Sequence, residues 1–334
     1  MTTRRDFLKT MTMASAGLAL GAGDILANPT FASQRKITDK VKIAYVGIGN
    51  RGEQIIGDFA RTGMVEVVAL CDVDMGAPHT QKVMNLYPKA KRFRDFRQMF
   101  DKAGNEFDAV AIATPDHSHF PISMLALASG KHVYVEKPLA RTFYEGELLM
   151  QAALKRPNLV TQVGNQGHSE ANYFQFKAWM DAGIIKDVTA VTAHMNNPRR
   201  WHKWDTNIYK FPAGQQLPKD MEWDPWLGVT PYHEYNKDYH LGQWRCWYDF
   251  GMGCLGDWGA HILDTVHEFL ELGLPYEITM QYANGHNDFF FPYSSTILFR
   301  FPQRKGMPPV DITWYDGLDN LPPIPAAVSY THLR

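Results

Sequence analysis

The hydrophobic positions of the chain alternate between two spacings over the region 41–157. Short apolar runs with β-branched residues, of which Val41–Val46 and Val65–Cys71 are the first two, predict strands. Between these runs apolar residues recur at helical spacing, as Ile55 and Phe59 do, which predicts an amphipathic helix. A regular alternation of strand and helix predicts a parallel sheet that helices cover on both faces.

The rest of this region follows the same pattern. It predicts helices near Ala77–Leu86, Phe96–Ala103, His119–Ser129 and Thr142–Lys155, and strands at Asp108–Ala113 and His132–Glu136. In an open sheet of this kind ligands bind beyond the carboxyl ends of the strands. The residues just after each strand are therefore candidates for binding.

Beyond residue 160 the pattern changes to that of an antiparallel sheet with one face to pack. Ile297, Phe299 and Phe301 alternate toward one side of a run, as half-buried strands do. The predicted strands are Thr161–Gly164, Val188–His194, Glu277–Tyr282, Ser294–Phe301 and Val310–Trp314. The fold class predicted is therefore α/β, with an N-terminal doubly wound domain of the Rossmann type followed by an α+β domain with an open, mostly antiparallel sheet.

The first strand leads directly into a glycine turn that opens a helix. The predicted cofactor residues of this turn are Gly47, Gly49, Asn50, Arg51 and Gly52. In such a turn the first glycine allows the sharp bend, the second lets the backbone approach a pyrophosphate, and the third lets helix and strand pack closely. The helix start offers N–H groups and a positive dipole end to phosphates. A glycine-rich turn without a ligand is the alternative.

Asp72 ends the second strand, twenty residues beyond the last glycine. A carboxylate there accepts hydrogen bonds from the adenosine ribose hydroxyls and repels a 2′-phosphate. We therefore expect NAD rather than NADP.

The first thirty-odd residues resemble an export signal rather than part of the fold. The arginine pair in Thr3–Lys9 precedes a mildly apolar, small-residue run at Met11–Ala22, which is typical of twin-arginine signals and too short to span a membrane. An ordinary basic N-terminus is the alternative. Cleavage is expected after Ala27 or Ala32.

The twin-arginine route carries folded proteins, and free NAD is not available outside the cytoplasm. A cofactor must therefore be held tightly or exchange electrons with a partner.

The last seven residues differ in character from the rest of the chain. Residues 328–334, VSYTHLR, follow a proline-rich segment and resemble a translated sequencing adapter rather than native protein. The expected divisions are 1–32 for the signal, 40–158 for the NAD-binding domain, 159–327 for the second domain and 328–334 for a non-native tail, with the second domain truncated.

Composition narrows the classes of partner. The 334-residue chain has 45% hydrophobic residues and a formal net charge of −1, which gives no indication of nucleic-acid binding or of attraction to an anionic membrane. Small molecules and other subunits are the expected partners. Three cysteines, Cys71, Cys246 and Cys254, make no disulfide framework, and no spacing suggests a metal site. Cys71 is expected in the core, and the other two can form at most one bridge.

Two strand ends carry candidate chemistry. One is followed by Thr114, Pro115 and two histidines, His117 and His119, and the other by Glu136-Lys137-Pro138. A lysine at the end of a buried strand needs a charge partner or a solvated site, and a pKa lowered by burial suits proton transfer at a hydroxyl. The alternative for Lys137 is a salt bridge with a carboxylate such as Glu136. For both histidines the alternative is a helix-start or core residue.

The second domain adds an aromatic loop and a polar helix stripe. Residues 196–252 are dense in Trp, Tyr, His and Arg, which suits stacking on sugars and binding of their hydroxyls. Arg199, Trp244 and Arg245 are the predicted substrate contacts, and an aromatic minicore is the alternative.

At 100° per residue, the polar side chains of the next helix fall on one stripe, formed by Asp257, His261, Asp264 and Glu268. An aspartate one turn from a histidine can orient it as a base for a hydroxyl proton. A solvated helix face is the alternative.

Together these motifs resemble the glucose-fructose oxidoreductase, inositol dehydrogenase and MocA (Gfo/Idh/MocA) family. The resemblance is carried by Gly47–Gly52, Thr114–His119, Glu136–Pro138 and Asp257–His261, and it spans about 41–315. It implies a catalytic set of Lys137, Asp257 and His261, and oligomerisation through the second sheet. Its implied cofactor contacts after the strands are Thr114, Pro115, His119, Glu136 and Lys137, and its implied substrate contacts include Asn165 and His261. The segment Gly164–Gly167 departs from common family forms, which leaves the substrate open.

The predicted function is that of an NAD(P)-dependent oxidoreductase. It would transfer a hydride between a tightly bound nicotinamide cofactor and a hydroxyl-bearing carbon of a sugar, cyclitol or glycoside. A redox-neutral NAD-dependent glycosidase, which oxidises C3 transiently and eliminates the aglycone, is the alternative. A non-catalytic sugar-binding protein is the third hypothesis.

Overall fold

The computed structural model describes residues 40–195, 210–240, 243–285 and 287–324. The chain forms two compact units. The first contains the chain up to Gly164 together with Ala213–Lys237, and the second contains Asn165–Pro212 and the chain from Asp238 onward.

The first unit is built on a six-stranded parallel sheet. Its strands are β1 (Val41–Val46), β2 (Val65–Cys71), β3 (Lys91–Phe93), β4 (Ala109–Ile112), β5 (His132–Glu136) and β6 (Thr161–Gly164), in the order β3-β2-β1-β4-β5-β6. The strand order reverses between β1 and β4, and this reversal is where dinucleotides bind in doubly wound sheets. The assignment of Thr161–Gly164 to the second sheet is wrong, because this strand pairs in parallel with β5.

Helices cover both faces of this sheet, as predicted. They are α1 (Arg51–Arg61), α2 (Pro78–Leu86), α3 (Phe96–Ala103), α4 (Asp116–Ala128) and α5 (Phe143–Leu154). Ala44 and Val46 pack in one hydrophobic core, while Ile43 and Tyr45 pack in another. Because successive strand residues point to opposite faces, the two cores lie on the two sides of β1.

A later segment, Ala213–Lys237, groups with the first unit although its sequence follows the start of the second. Its short helix is α7 (Trp223–Leu227). The buried guanidinium of Arg97 bridges Asp95 and Asp224, at 2.8 and 2.7 Å. Since a buried charge is costly unless it is paired, these bonds explain why the segment is held there.

The second unit contains a mixed, mostly antiparallel sheet, in agreement with the predicted fold class. Its strands are β7 (Ala190–Met195), β8 (Glu277–Asn284), β9 (Ser294–Phe301) and β10 (Val310–Asp316), in the order β7-β10-β9-β8. Only the β7–β10 pair is parallel among these strands. Helix α6 (Ala171–Asp181) contributes Met180 to the core that contains Ile312 and Phe301.

The predicted polar helix is interrupted. A π turn spans Leu255–Gly259 and is followed by two short helices, α8 (Ala260–Ile262) and α9 (Asp264–Phe269). A π turn closes its hydrogen bonds over five residues instead of four. The rotation of 100° per residue that was used to align Asp257 with His261 therefore does not apply across this turn. The prediction of one regular helix is wrong at this point.

The described residues include no helix that is long and apolar enough to cross a membrane. Cys71 is buried, as expected.

Candidate active site

The glycine turn between β1 and α1 is built from backbone contacts. Gly47 has a φ of 77°, a conformation that glycine adopts without the steric cost that other residues meet. A Cβ on Gly52 would lie 2.0 Å from the carbonyl oxygen of Gly47. The third glycine therefore lets the helix start against the turn itself, as predicted for close packing.

Gly49 has a different neighbour from the one its role in the motif suggests. A Cβ on Gly49 would lie 2.1 Å from Cδ2 and 2.4 Å from Nε2 of His79. The His79 imidazole, at the start of α2, therefore borders the position at which a pyrophosphate approaches the turn. Sequence analysis missed His79, and the signal that could have found it was a histidine opening the helix that follows Asp72.

Asp72 is fixed by the backbone on either side of it. Its Oδ2 accepts from the amide of Ile48 at 2.9 Å, and its Oδ1 accepts from the amide of Asp74 at 3.0 Å. Burial raises the pKa of Asp72 above its ordinary value, while these two amides and nearby His79 oppose the rise. Each carboxylate oxygen has a second lone pair, so the side chain keeps the capacity to accept from ribose hydroxyls.

A side-chain network connects the glycine turn to the end of β5. Nη2 of Arg51 lies 3.1 Å from Oε1 of Glu136, which also accepts from the hydroxyl of Tyr134 at 3.1 Å. Glu136 is buried. Burial is the largest single effect on the pKa of Arg51 and lowers it, but the hydrogen bond to Glu136 and the nearby charges together outweigh burial, so the pKa is raised. The Glu136 carboxylate is therefore held by the chain itself rather than left for a ligand alone.

Two predicted cofactor residues keep a buried polar atom without a hydrogen-bond partner, namely Arg51 at Nε and Thr114 at Oγ1. Buried polar atoms of this kind usually find a partner. A dinucleotide bound at the reversal of strand order would lie against both residues, so the chain's own residues fit this group.

His119 and His117 are both buried at the start of α4. Nδ1 of His119 lies 2.6 Å from the carbonyl oxygen of Pro138, and Nε2 lies 2.8 Å from that of Thr114. Nε2 of His117 lies 2.6 Å from the carbonyl oxygen of Trp226. Both histidines bond to the backbone, which agrees with the alternative interpretation of a core histidine. The amide of Lys137 donates to the carbonyl of Gly164 at 3.2 Å.

In the second unit, Trp244, Arg245 and Asp257 lie together. The guanidinium of Arg245 stacks over the Trp244 ring at 4.2 Å, and its Nη1 lies 3.3 Å from Oδ1 of Asp257. Trp244 and Asp257 are buried. Arg245, predicted as a substrate contact, thus neutralises the aspartate that was predicted to assist His261. Gly251 belongs to the same packing, because a Cβ there would meet the Arg245 backbone at 2.4 Å.

A segment from Asn165 to Tyr173, here called the 165–173 segment, runs along the π turn and the two helices that follow. It makes four polar contacts with them, which are Asn165 Nδ2 to Ala260 O at 2.9 Å, Gln166 O to His261 Nδ1 at 3.2 Å, His168 Nδ1 to Asp264 Oδ2 at 2.6 Å, and Tyr173 OH to Glu268 Oε1 at 2.7 Å. His261, Asp264 and Glu268 are therefore attached to the 165–173 segment, while Glu268 stays exposed to solvent. Asn165 binds the backbone beside His261.

The Gln166 contact determines the tautomer of His261. A carbonyl oxygen only accepts, so the bond at 3.2 Å places the hydrogen of a neutral ring on Nδ1. The Trp258 ring lies edge-on to the imidazole, with centroids 5.8 Å apart.

The remaining predicted site residues can be placed briefly. Lys137 belongs to the first unit, and Asp257 and His261 belong to the second. Pro115 is the N-cap of α4, and Asn50, the N-cap of α1, has a φ of 47°. Arg199 lies outside the described residues. Within the described part of the chain, no group of three or more His, Cys, Asp or Glu side chains is arranged to hold a metal.

Sequence comparison identifies both units. The NAD-binding Rossmann domain of the Gfo/Idh/MocA oxidoreductase family matches residues 41–164, and the C-terminal alpha/beta domain of the same family matches residues 174–300. The chain belongs to this family. Membership confirms the predicted resemblance and the predicted Rossmann fold. It also supports NAD as the cofactor, because the family's N-terminal domain is described as NAD-binding.

Individual relatives in the Gfo/Idh/MocA family are distant. Glycosyl hydrolase family 109 protein 2 of Shewanella sp. (strain ANA-3) is 28% identical over 246 residues, covering 62% of this chain and 52% of the relative. Inositol 2-dehydrogenase of Salmonella typhimurium is 30% identical over 147 residues, covering 43% of each chain. The chain thus spans about half the length of the curated relatives it matches.

Solved structures agree on the fold. The WlbA dehydrogenase of Bordetella pertussis, in complex with NADH and UDP-GlcNAcA, superimposes with a TM-score of 0.58 at 17% identity. The match covers 82% of this chain and 70% of that protein. At this identity the likeness extends to the fold alone.

The glycine turn generates a first prediction. Gly52→Ala should destabilise the first unit by about 1–3 kcal/mol, because the new methyl meets a backbone oxygen that cannot move away cheaply, and should weaken NADH binding. Gly57→Ala is the matched control in the same helix, since its Cβ would meet only the end of Arg61, at 3.9 Å. It should gain up to about 1 kcal/mol. Urea unfolding and NADH titration measure both variants, and equal effects of the two substitutions would contradict the steric argument.

The His168–Asp264 contact generates a second prediction. The hydrogen bond to Asp264 raises the pKa of His168 above its ordinary value, with smaller charge effects from Asp264 and Glu268 and an opposing effect of burial. The stabilisation from this contact is therefore fully present below the unfolded pKa of about 6.5 and is lost as pH rises through the folded value.

An NMR titration of the imidazole measures this shift. Asp264→Asn should lower the pKa of His168 clearly. Glu268→Gln should lower it less, because that carboxylate is 3.8 Å from Nε2. The reverse ranking would show that Asp264 is not the main partner.

Proposed function

We propose that this protein is an NAD-dependent oxidoreductase acting on a hydroxyl-bearing carbon of a sugar, cyclitol or glycoside. The observation that carries the proposal is the bond between Nδ1 of His261 and the carbonyl of Gln166. It holds the imidazole of His261 in place through Nδ1, in a chain whose other unit has the NAD-binding fold of its family. Family membership and relatives such as the inositol 2-dehydrogenase of Salmonella typhimurium support the substrate class.

His261 is the proposed general base. Bound NAD supplies the acceptor for the hydride of the reacting carbon. Oxidation of an alcohol also requires removal of the hydroxyl proton, and a histidine with an ordinary pKa near 6.5 suits this role at neutral pH. In the reverse direction the protonated ring returns the proton to the forming hydroxyl.

Lys137 and Asp257 complete the proposed catalytic set. The ammonium group of Lys137 would donate a hydrogen bond to the reacting hydroxyl oxygen and stabilise negative charge as the proton leaves. Asp257 is buried and lies 3.3 Å from Arg245. In the proposed set this ion pair would fix the position of the carboxylate in the unit that holds His261, rather than supply an unbalanced charge.

A redox-neutral glycosidase is the second candidate. The 28% identity over 246 residues to a protein named as a glycosyl hydrolase of family 109 is compatible with this reaction. The same base and the same cofactor serve a cycle in which C3 is oxidised, the aglycone is eliminated, water adds and the carbon is reduced again. NAD remains the proposed cofactor over NADP in both candidates, since Asp72 would face the 2′-phosphate.

Two substitutions and two assays test this proposal. Lys137→Ala and His261→Ala should each lower kcat about 100-fold or more, which is the usual loss for a proton-transfer group, with the Kd for NADH nearly unchanged. His267→Ala is the matched control, a histidine of α9 whose Nε2 bonds to the Gly273 carbonyl at 2.9 Å, and should keep the wild-type rate. Near-normal turnover by either of the first two variants would contradict the assigned roles.

The assays separate the two candidate reactions. Stoichiometric NADH formation at 340 nm with a free sugar supports the dehydrogenase. Release of nitrophenol from a nitrophenyl glycoside without net NADH supports the glycosidase.

We also propose export by the twin-arginine route and a homo-oligomer. The Arg4-Arg5 pair before a short apolar run supports export, and a cofactor held through folding is consistent with it. Replacement of both arginines by lysine should retain the protein in the cytoplasm on cell fractionation. Unchanged export would contradict the signal.

The proposed homo-oligomer rests on the second sheet. Ile278 and Met280 of the edge strand β8 are exposed, which supports contact with another subunit.

A further inference from the structure

His119 bridges two strand-end turns through backbone oxygens. Its Nδ1 lies 2.6 Å from the Pro138 carbonyl after β5, and its Nε2 lies 2.8 Å from the Thr114 carbonyl after β4. The residue is 1% exposed. Both turns hold predicted site residues, so the imidazole lies between the carbonyls on which their spacing depends.

The two bonds determine the state of the ring. A carbonyl oxygen can only accept a hydrogen bond, and a neutral imidazole has a single N–H. A neutral ring would therefore leave one nitrogen lone pair facing a carbonyl oxygen at hydrogen-bond distance, in a buried site where an unmade bond is costly. An imidazolium donates to both oxygens, and such charge-assisted bonds are the shorter and stronger kind. His119 lies near the start of α4, where the positive end of the helix dipole disfavours a cation. The carboxylate of Asp116 in the first turn of that helix opposes this effect.

We propose that His119 is a positioning residue that acts as an imidazolium bridge. It holds the Thr114 turn and the Lys137-Pro138 turn at a fixed separation, so the ammonium of Lys137 is presented at a constant place beside the nucleotide-binding edge of the sheet. This inference rests on the proposed role of Lys137 and goes beyond it. His119 was predicted as a contact of the cofactor, whereas both of its ring nitrogens are directed at the chain.

The state of the ring is tested in the intact wild-type chain. In ¹⁵N-histidine NMR at pH 7, His119 should show two protonated nitrogens of similar shift. A spectrum with one protonated and one unprotonated nitrogen would overturn the imidazolium assignment. Loss of the doubly protonated signals in His119→Gln identifies the residue. This measurement does not depend on catalysis, so it stands or fails independently of Lys137.

Chemical rescue tests the positioning role. His119→Gly should lower kcat at least about tenfold, the loss expected for one charge-assisted hydrogen bond, while NADH still binds. Added imidazole should restore much of the rate, because its protonated form offers two N–H groups. 1-Methylimidazole, which has at most one, should not. His267→Gly, with the same additives, should respond to neither.

The outcomes separate the two proposals. Equal rescue by both additives, or a His119→Gly enzyme with wild-type kcat, would overturn the bridge. If His119→Gly does not fold, His119→Gln with its single amide donor group replaces it, and a wild-type kcat for that variant has the same meaning. Normal turnover by Lys137→Ala would instead refute the proposed function while leaving the NMR result in place.

Discussion

The amide of Ile48 donates a hydrogen bond to Asp72 at 2.9 Å, and the nucleotide-binding edge of the first unit depends on this contact. It fixes the glycine turn to the end of the neighbouring strand, where the amide of Gly47 also donates to the Cys71 carbonyl at 2.9 Å. The turn therefore cannot move independently of the carboxylate. The same interaction stabilises the ionised form of Asp72 against its burial, which keeps a negative charge where a 2′-phosphate would have to lie.

The buried charges of this edge are satisfied in two different ways. Asp72 receives backbone amides, which have fixed directions and no net charge, whereas Glu136 receives the guanidinium of Arg51. An amide pair holds a carboxylate without neutralising it, so Asp72 stays available as an acceptor. A salt bridge neutralises its partner and fixes geometry instead. Asp72 can thus bind a ligand directly, while Glu136 mainly maintains the connection between the glycine turn and β5.

Sequence analysis recovered the features that depend on local pattern. Strands β1, β2, β4 and β5, the glycine turn and the position of Asp72 follow from hydrophobic period and glycine spacing, both of which can be recognised within about thirty residues. The short strand β3 was not predicted, and β6 was assigned to the other sheet. The grouping of Ala213–Lys237 with the first unit could not be predicted in this way, because it rests on Arg97 reaching Asp224 across 127 positions.

The π turn is a different kind of failure. A fixed angle of 100° per residue assumes one kind of helix, and Leu255–Gly259 does not form that kind. The residues that follow the π turn are still used as polar contacts, because the 165–173 segment supplies a hydrogen-bond partner for His261, Asp264 and Glu268. In the sequence, the start of this segment was noted as a departure from family forms, and Asn165 as an implied substrate contact. Its role in fixing His261 emerges from a carbonyl, which side-chain identity cannot reveal.

The acceptors opposite the histidines differ in charge. His117, His261 and His267 each direct a ring nitrogen at a backbone carbonyl. A carbonyl carries no net charge and only accepts hydrogen bonds, so it fixes the orientation of the ring. His168 faces a carboxylate at 2.6 Å, whose charge favours the imidazolium directly. His119 differs from all of these, because each of its two ring nitrogens faces a carbonyl oxygen. Two such bonds require two N–H groups, which is the basis of the proposed imidazolium. The same side chain thus meets three kinds of acceptor, a single carbonyl, a carboxylate and a pair of carbonyls, and each acceptor limits the hydrogen bonds that its ring can make.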